Sequence, residues 1–340
     1  MDSITVEFVA GWINGYIEEI GLIGKGSYSV VSRCKIKNSS KFCVMKKLRE
    51  MFDFQLTKNE IDVMILGARC RYIPDLYFAG FNVDNHYIIL MEDISGGSLR
   101  HHIFYRSLIS EEAIKVIAFQ IADALNFLHE LCYVHGDIKD DNVALTSNGE
   151  VRLLDFGFST NVWTPQRLRQ QCLEYASPEV IKCHKASYPS DWWSYGCLLA
   201  DLIQKRGPFR ENDILALHNK IFKGEPNLEK IKDESAKDLI QKLLRKNPAE
   251  RFQNVFNHPY LESAKSKPIF IPGNLYHAKM RDAEMKDAKQ YNFRPTLRID
   301  AEMKEAKQYN FRPTLRMLNT VFSDGYIVCP TEEQLNHFLG

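Results

Sequence analysis

Between His135 and Gly157 the chain reads His-Gly-Asp-Ile-Lys-Asp-Asp-Asn, then a short strand-like run, then Asp155-Phe156-Gly157. No other stretch constrains the fold as much. It sets a carboxylate (Asp137), an ammonium (Lys139), an amide (Asn142) and a second carboxylate (Asp155) close together in a loop-rich segment. Groups of these kinds can orient a hydroxyl, neutralise a phosphoryl group and hold a divalent cation. The rest of the chain has the means to build a scaffold around them. Apolar residues make up 45% and charged residues 26% of the 340, the balance of a soluble globular protein with a large core.

That length suits one two-lobed domain with appendages, or two modest domains. Residues 20–36 alternate apolar and polar around a glycine-rich turn, which predicts a β-hairpin. Residues 41–48 and 86–92 read as further strands, and 58–66 as a helix. From Ser110 the period changes. A serine cap and two acids precede an apolar stripe at Ile114, Ile117, Ile121, Leu125 and Leu128, the signature of a helix. More helices fit 190–204, 212–222 and 235–245, and the segment around Asn257–Tyr260 closes this larger helical part. The Gly-Gly pair within Glu92–Gly97 marks the hinge between the two parts.

Net charge is +1, so no whole-molecule field argues for nucleic acid or a membrane surface. The eight cysteines are scattered and form no Cys-x-x-Cys pair, which argues against structural zinc and a disulfide framework. The start, Met-Asp-Ser-Ile-Thr-Val-Glu-Phe, has no basic or long apolar run, and Asp2 occupies the position that myristoylation requires to be glycine. No stretch approaches the roughly 18 apolar residues of a membrane span. The expected location is cytoplasmic, with the nucleus as an alternative.

Ile23-Gly24-Lys25-Gly26-Ser27-Tyr28-Ser29-Val30-Val31 can bring backbone N–H groups close to phosphate oxygens. Lys46 follows in Cys-Val-Met-Lys, on the face of its strand opposite to Lys47. Glu60 fits the helical pattern of this segment better than Asp62 and Glu50 do. With the Asp137–Asp155 stretch, these motifs resemble the protein kinase catalytic domain, of serine/threonine type because of Lys139 in Asp-Ile-Lys-Asp-Asp-Asn. The resemblance spans about residues 17–261 and implies an α+β, two-lobed fold. The mostly β N-lobe would occupy about 17–93 and the mostly helical C-lobe about 97–261. Residues 1–16 would be an extension, and 262–340 a partly ordered tail.

The same resemblance implies ATP and Mg2+ as cofactors and protein substrates as partners. Ile23, Gly24, Lys25, Gly26, Ser27, Tyr28, Ser29 and Val31 would cover the nucleotide, and Val44 would sit below the adenine. Lys46 would bind the α- and β-phosphates and pair with Glu60. Met91 would guard the back of the adenine pocket, with Glu92–Ile94 supplying hinge backbone bonds. Asp137 would orient the substrate hydroxyl and Lys139 would neutralise the transferring group. Asn142 and Asp155 would hold the metal. Tyr175-Ala-Ser-Pro-Glu179 resembles the closure of the activation segment, with Arg251 pairing with Glu179, and Asp191-Trp-Trp resembles the helix that anchors the catalytic loop.

There are departures. The family's third loop glycine is Ser29, its His-Arg-Asp is His135-Gly136-Asp137, and its activation-segment threonine is Cys172. The usual phosphothreonine position falls near Leu168, which cannot be phosphorylated. Together, Gly136 and Leu168 imply activity without activation-loop phosphorylation, and Cys172 implies modest turnover. These departures also keep a second function in play, a pseudokinase scaffold that binds nucleotide and a protein partner. A small-molecule phosphotransferase is disfavoured by Tyr175–Glu179 and Asp191-Trp-Trp.

Asp191-Trp-Trp and Lys267–Pro272 weakly resemble the AGC group, and Phe322–Tyr326 resembles its terminal motif more faintly. Residues 282–299 recur almost unchanged at 300–317, and only Asp287/Glu305 and Ile299/Met317 differ. Each copy carries an Arg-Pro-Thr site, at Thr296 and Thr314. The repeat is either a docking or phosphorylation site for a partner or a duplicated solvated segment.

Overall fold

The computed structural model describes residues 15–26, 28–49, 54–68, 70–104, 109–163, 172–266 and 271–272. Ser27, Glu50, Leu168, residues 1–14 of the N-terminal extension, the tandem repeat with Thr296 and Thr314, and Phe322–Tyr326 lie outside them. The chain divides into two compact units. One runs to Arg69 and takes in Pro74–Asp93; the other takes in Cys70–Ile73 and the chain from Ile94.

The first unit is a five-stranded sheet. The alternating segments form the expected antiparallel hairpin of β1 (Ile17–Lys25) and β2 (Ser29–Ile36), followed by β3 (Phe42–Leu48). Alternation buries one face: Cys34, Ile36, Cys43 and Met45 join Phe78, Ile88 and Leu90 in a single cluster. The other two strands are β4 (Leu76–Phe81) and β5 (Tyr87–Glu92), and the sheet order is β1-β2-β3-β5-β4. β4 escaped the sequence reading because Leu-Tyr-Phe-Ala-Gly-Phe is apolar throughout and shows no period of two. Helix α1 (Phe54–Leu66) begins four residues before the expected start and buries Glu60, Ile61, Val63 and Met64.

In the second unit two short helices were missed, α2 (Leu99–Phe104) and α4 (Pro178–Cys183), both too brief to show a helical stripe. Between them comes α3 (Glu111–Glu130), where the Ser110 hydroxyl accepts from the Ala113 N–H at 3.2 Å and the predicted apolar stripe is buried. β6 (Tyr133–Val134), β7 (Val143–Leu145), β8 (Val151–Leu153) and β9 (Thr160–Asn161) form two small ribbons, β6 with β9 and β7 with β8.

α5 (Tyr188–Gln204) is buried on nearly every side, as a helix apolar all round must be. α6 (Ile214–Lys223), α7 (Glu234–Leu243) and α8 (Pro259–Glu262) complete the unit. Asp213 and Asp233 cap α6 and α7, accepting from N–H groups at 2.8–3.1 Å, and so set where these helices begin.

The Gly-Gly pair has a more specific role than freedom of motion. A Cβ on Gly96 would lie 2.4 Å from the carbonyl oxygens of both Leu145 and Thr146, so only glycine permits that approach. Gly97 has φ +84°, and its carbonyl accepts from the Leu145 N–H at 2.9 Å.

Candidate active site

In the first unit the β3 pleat sends Lys46 and Lys47 to opposite faces. Lys46 Nζ bonds both carboxylate oxygens of Glu60 on α1 at 2.7 Å, with side-chain exposures of 13% and 5%. Lys47 pairs with the surface residue Glu19 at 3.2 Å, and Asp62 pairs with Lys58 at 2.5 Å within α1. The ammonium and carboxylate singled out in sequence are therefore the pair that meets, and the two rivals within the described residues are engaged elsewhere. Val44, two residues from Lys46 on the same face, is opposite Met91 of β5. The Glu92 N–H is bonded to Asp75 O at 2.9 Å and is therefore taken up within the sheet unit.

The tip of the β1–β2 hairpin is closed by a Gly26 N–H bond to Ser29 O at 2.9 Å. A Cβ on Gly24 would meet nothing within 4 Å, and one on Gly26 nothing nearer than 3.7 Å. The hairpin itself does not need glycine at either place. The bare backbone leaves room for a phosphate, and the Ile23 and Tyr28 side chains beside it are exposed.

In the second unit the loop between β6 and β7 is shaped by one buried carboxylate. Asp191, in the first turn of α5 and 1% exposed, accepts from the His135 N–H at 2.8 Å, the Gly136 N–H at 3.0 Å and His129 Nε2 at 2.9 Å. Gly136 has φ +78°, and a Cβ there would sit 2.7 Å from Phe158 O. The next residue, Asp137, is 8% exposed; its carboxylate accepts from Lys139 Nζ and, at 2.8 Å, from Asn142 Nδ2. Asn142 Nδ2 also donates to Asp137 O at 2.8 Å, which makes Oδ1 the atom it has to offer a cation. Three of the predicted site residues thus share one hydrogen-bonded loop.

Burial pushes the Asp137 carboxyl upward, opposed by Lys139 and reinforced by the charge of Asp155. Burial works against the Lys139 charge, but Asp137 outweighs it and holds the ammonium above its ordinary value. His135 is fully buried, which lowers its pKa and favours the neutral ring. Asp155 follows β8 in a left-handed conformation (φ 59°, ψ 74°) and is exposed. Cys172 is buried among these charges, and burial first, then Asp137, pushes its thiol up to about 12.

Glu179 and Arg251 form the expected bidentate pair, at 2.6 and 3.1 Å, with the guanidinium fully buried and also bonded to the carbonyls of Arg245 and Pro189. Other contacts had no sequence signal. Arg33 makes a buried pair with Asp93 at 2.8 Å while lying 4.0 Å over the Phe42 ring. Arg100 bonds Asp140 at 3.2 Å and Asp141 at 2.5 Å. The Tyr175 hydroxyl donates to Asp201 at 2.8 Å. Each links residues tens of positions apart by no regular spacing.

Asn142 and Asp155 supply oxygen only, and among the described residues no group of three or more His, Cys, Asp or Glu side chains could cage a metal. That donor set suits magnesium, which keeps its waters and binds through one or two protein oxygens plus phosphate. The open glycines and the Lys46 ammonium suit a nucleotide triphosphate.

The protein kinase domain model matches residues 17–261. Protein kinase 2 of Dictyostelium discoideum is 30% identical over 257 residues, covering 72% of this chain and 53% of that protein. Protein kinase C delta type of Rattus norvegicus is 28% identical over 270 residues (74% of this chain, 40% of that one). Protein kinase C, eye isozyme, of Drosophila melanogaster is 28% identical over 259 residues (72% and 37%). The chain thus spans about half, or less, of the length of these curated relatives. The family match, together with the Lys46–Glu60 pair and the Asp137–Lys139–Asn142 loop, establishes that this chain belongs to the protein kinase family.

Proposed function

We propose that the chain is a serine/threonine protein kinase that transfers the ATP γ-phosphate to hydroxyls of protein substrates with Mg2+. The observation that carries this is the buried Asp137 carboxylate, held by Lys139 and Asn142 in a loop that Asp191 fixes from below. Asp137 orients the incoming hydroxyl and accepts its proton. Lys139 neutralises charge on the group in transfer, and Lys46, steadied by Glu60, holds the nucleotide phosphates. Asn142 Oδ1 and the Asp155 carboxylate are the metal-holding oxygens. Bound magnesium would neutralise charge on the phosphate oxygens. Phosphate incorporation into a protein substrate by the wild type, lost in Asp155→Ala, is the expected result. Equal incorporation by both would defeat the proposal.

Gly136 supports a further point, that loop phosphorylation is not needed. The left-handed backbone and the nearby Phe158 carbonyl leave no room for the arginine that would receive a phosphate. Instead the loop is held by Asp191 and by pairing of Val134 with Thr160. Phosphatase-treated protein from bacteria should be active; inert protein rescued by an upstream kinase would overturn this.

A second reading is favoured by Cys172. A protonated, buried thiol is a weak hydrogen-bond partner for Asp137 and Lys139. On that reading the chain is a pseudokinase scaffold that binds nucleotide and a protein partner. Nucleotide binding without any phosphate transfer would select it.

A further inference from the structure

Arg33 leaves β2 on the same face of the sheet as Lys46. Its ladder partner is Val44, whose own partner on β5 is Met91, and directly opposed residues in an antiparallel sheet project to one side. Val44 and Lys46 alternate along β3 with Cys43 and Met45, which belong to the apolar cluster on the other side. The Arg33 side chain therefore starts on the face that the kinase reading gives to the nucleotide.

The guanidinium does not stay on its own strand. It meets the carboxylate of Asp93, the residue that follows β5, with Nε donating at 3.1 and 3.2 Å and Nη2 at 2.8 Å. β3 lies between β2 and β5. Neighbouring strands are about 4.8 Å apart, so the side chain has to span β3 to reach Asp93. On the way it lies 4.0 Å over the ring of Phe42, two residues before Val44 and on the same face. Both side chains of the pair are shielded, with exposures of 7% and 9%. A planar fork against a carboxylate fixes direction as well as distance.

We propose that Arg33 is a positioning residue for the nucleotide base, a strap from β2 across β3 that holds the chain just after β5 against the Val44 face. The proposal rests on the kinase reading, in which Val44 sits against the adenine and Glu92–Ile94 give backbone bonds to its edge. Such bonds require that segment to stay within about 0.5 Å of its place relative to Val44. Lys46 is steadied separately, by Glu60 at 2.7 Å. Loss of the strap should therefore weaken what the base adds to binding and spare what the triphosphate adds. Stability is not the point of the pair, because two apolar residues of similar volume can match a buried ion pair in that respect.

The test is calorimetric titration with Mg-ATP and, in parallel, with magnesium tripolyphosphate, which carries the phosphates without the base. The proteins are wild type, Arg33→Met, Arg33→Lys and the double variant Arg33→Met/Asp93→Leu. The double variant strands no charge and should melt near wild type. It should nevertheless bind ATP about fivefold to tenfold more weakly, with tripolyphosphate affinity within about twofold of wild type. Arg33→Met should show the same contrast and melt lower, because Asp93 is left buried and unpaired. Arg33→Lys keeps the charge but lacks the fork, and its ATP affinity should fall between those of wild type and Arg33→Met. In turnover its loss should reside in KM for ATP rather than in kcat. Unchanged ATP affinity in the double variant would overturn the proposal. Equal losses for ATP and tripolyphosphate would also overturn it, since a merely structural pair gives that result.

Phosphate transfer by the same four proteins separates the two ideas. A base-selective loss of binding, without any transfer by wild type, would sink catalysis and keep the strap. Transfer by wild type with one ATP affinity in all four proteins would do the reverse. A wild type that binds no ATP would sink both.

Discussion

The two units hold their functional groups in different ways. In the β unit, Lys46 projects from a regular strand and Glu60 from a regular helix, and one ion pair joins them. In the helical unit, Asp137, Lys139 and Asn142 sit in a loop with no repeating geometry, and their placement depends on Asp191, far along the chain in α5. Strand and helix periods can aim a side chain unaided. A loop needs outside partners for its backbone N–H groups, and here one buried carboxylate takes three donors. The helical unit is therefore the more vulnerable to a distant substitution, and the β unit to a local one.

The sharpest way to break this comparison is Asp191→Ala. Removing the carboxylate strands the N–H groups of His135 and Gly136 in a buried site, and a loss of about 3–5 kcal/mol in urea unfolding is expected. A loss below about 1 kcal/mol would mean that the loop holds itself.

Next comes the contrast of Lys46→Met with Lys47→Met. The first should cut phosphate transfer by about 100-fold, equivalent to about 2.7 kcal/mol, while the second should leave it within about twofold. Comparable losses would deny that the strand's two faces have separate roles.

Gly136→Arg, which restores the family's residue, should destabilise by about 1–3 kcal/mol without conferring dependence on loop phosphorylation. A stable variant with phosphate-dependent activity would show that the left-handed backbone is not a constraint.

The smallest expected effect is on pH dependence. Burial first, opposed by Arg100, raises Asp140 from 3.8 to about 7. A carboxyl raised on folding favours the protonated native state. Its contribution is complete below about pH 4 and fades as pH rises through about 7. Asp140→Asn should therefore flatten the decline in melting temperature across that interval. An unchanged pH profile would show that Arg100 keeps Asp140 ionised.

Much of this was readable in advance. The 110–128 stripe, the β-hairpin and the Lys46/Lys47 alternation rest on short-range periods, and each appears in the structure where the pattern put it. The pairings of Glu179 with Arg251 and Lys46 with Glu60 were legible only through the family resemblance, because neither follows from spacing. β4 was missed because an unbroken apolar run carries no phase. In the sequence the Gly-Gly pair marks a hinge, whereas contact with the Leu145 and Thr146 carbonyls makes Gly96 a packing requirement.

By itself, then, the order of residues determined which faces are apolar, which chemical groups crowd the His135–Gly157 stretch, and which family they point to. Only the tertiary structure decided that Gly136 must be left-handed beneath Phe158 O, that Asp93 is claimed by Arg33, and that the Ser177 hydroxyl is buried without a partner. The physical reason is range. Periodicity acts between residues a few positions apart and is written into every segment. The satisfaction or abandonment of a buried polar group depends on atoms brought in from the other end of the chain.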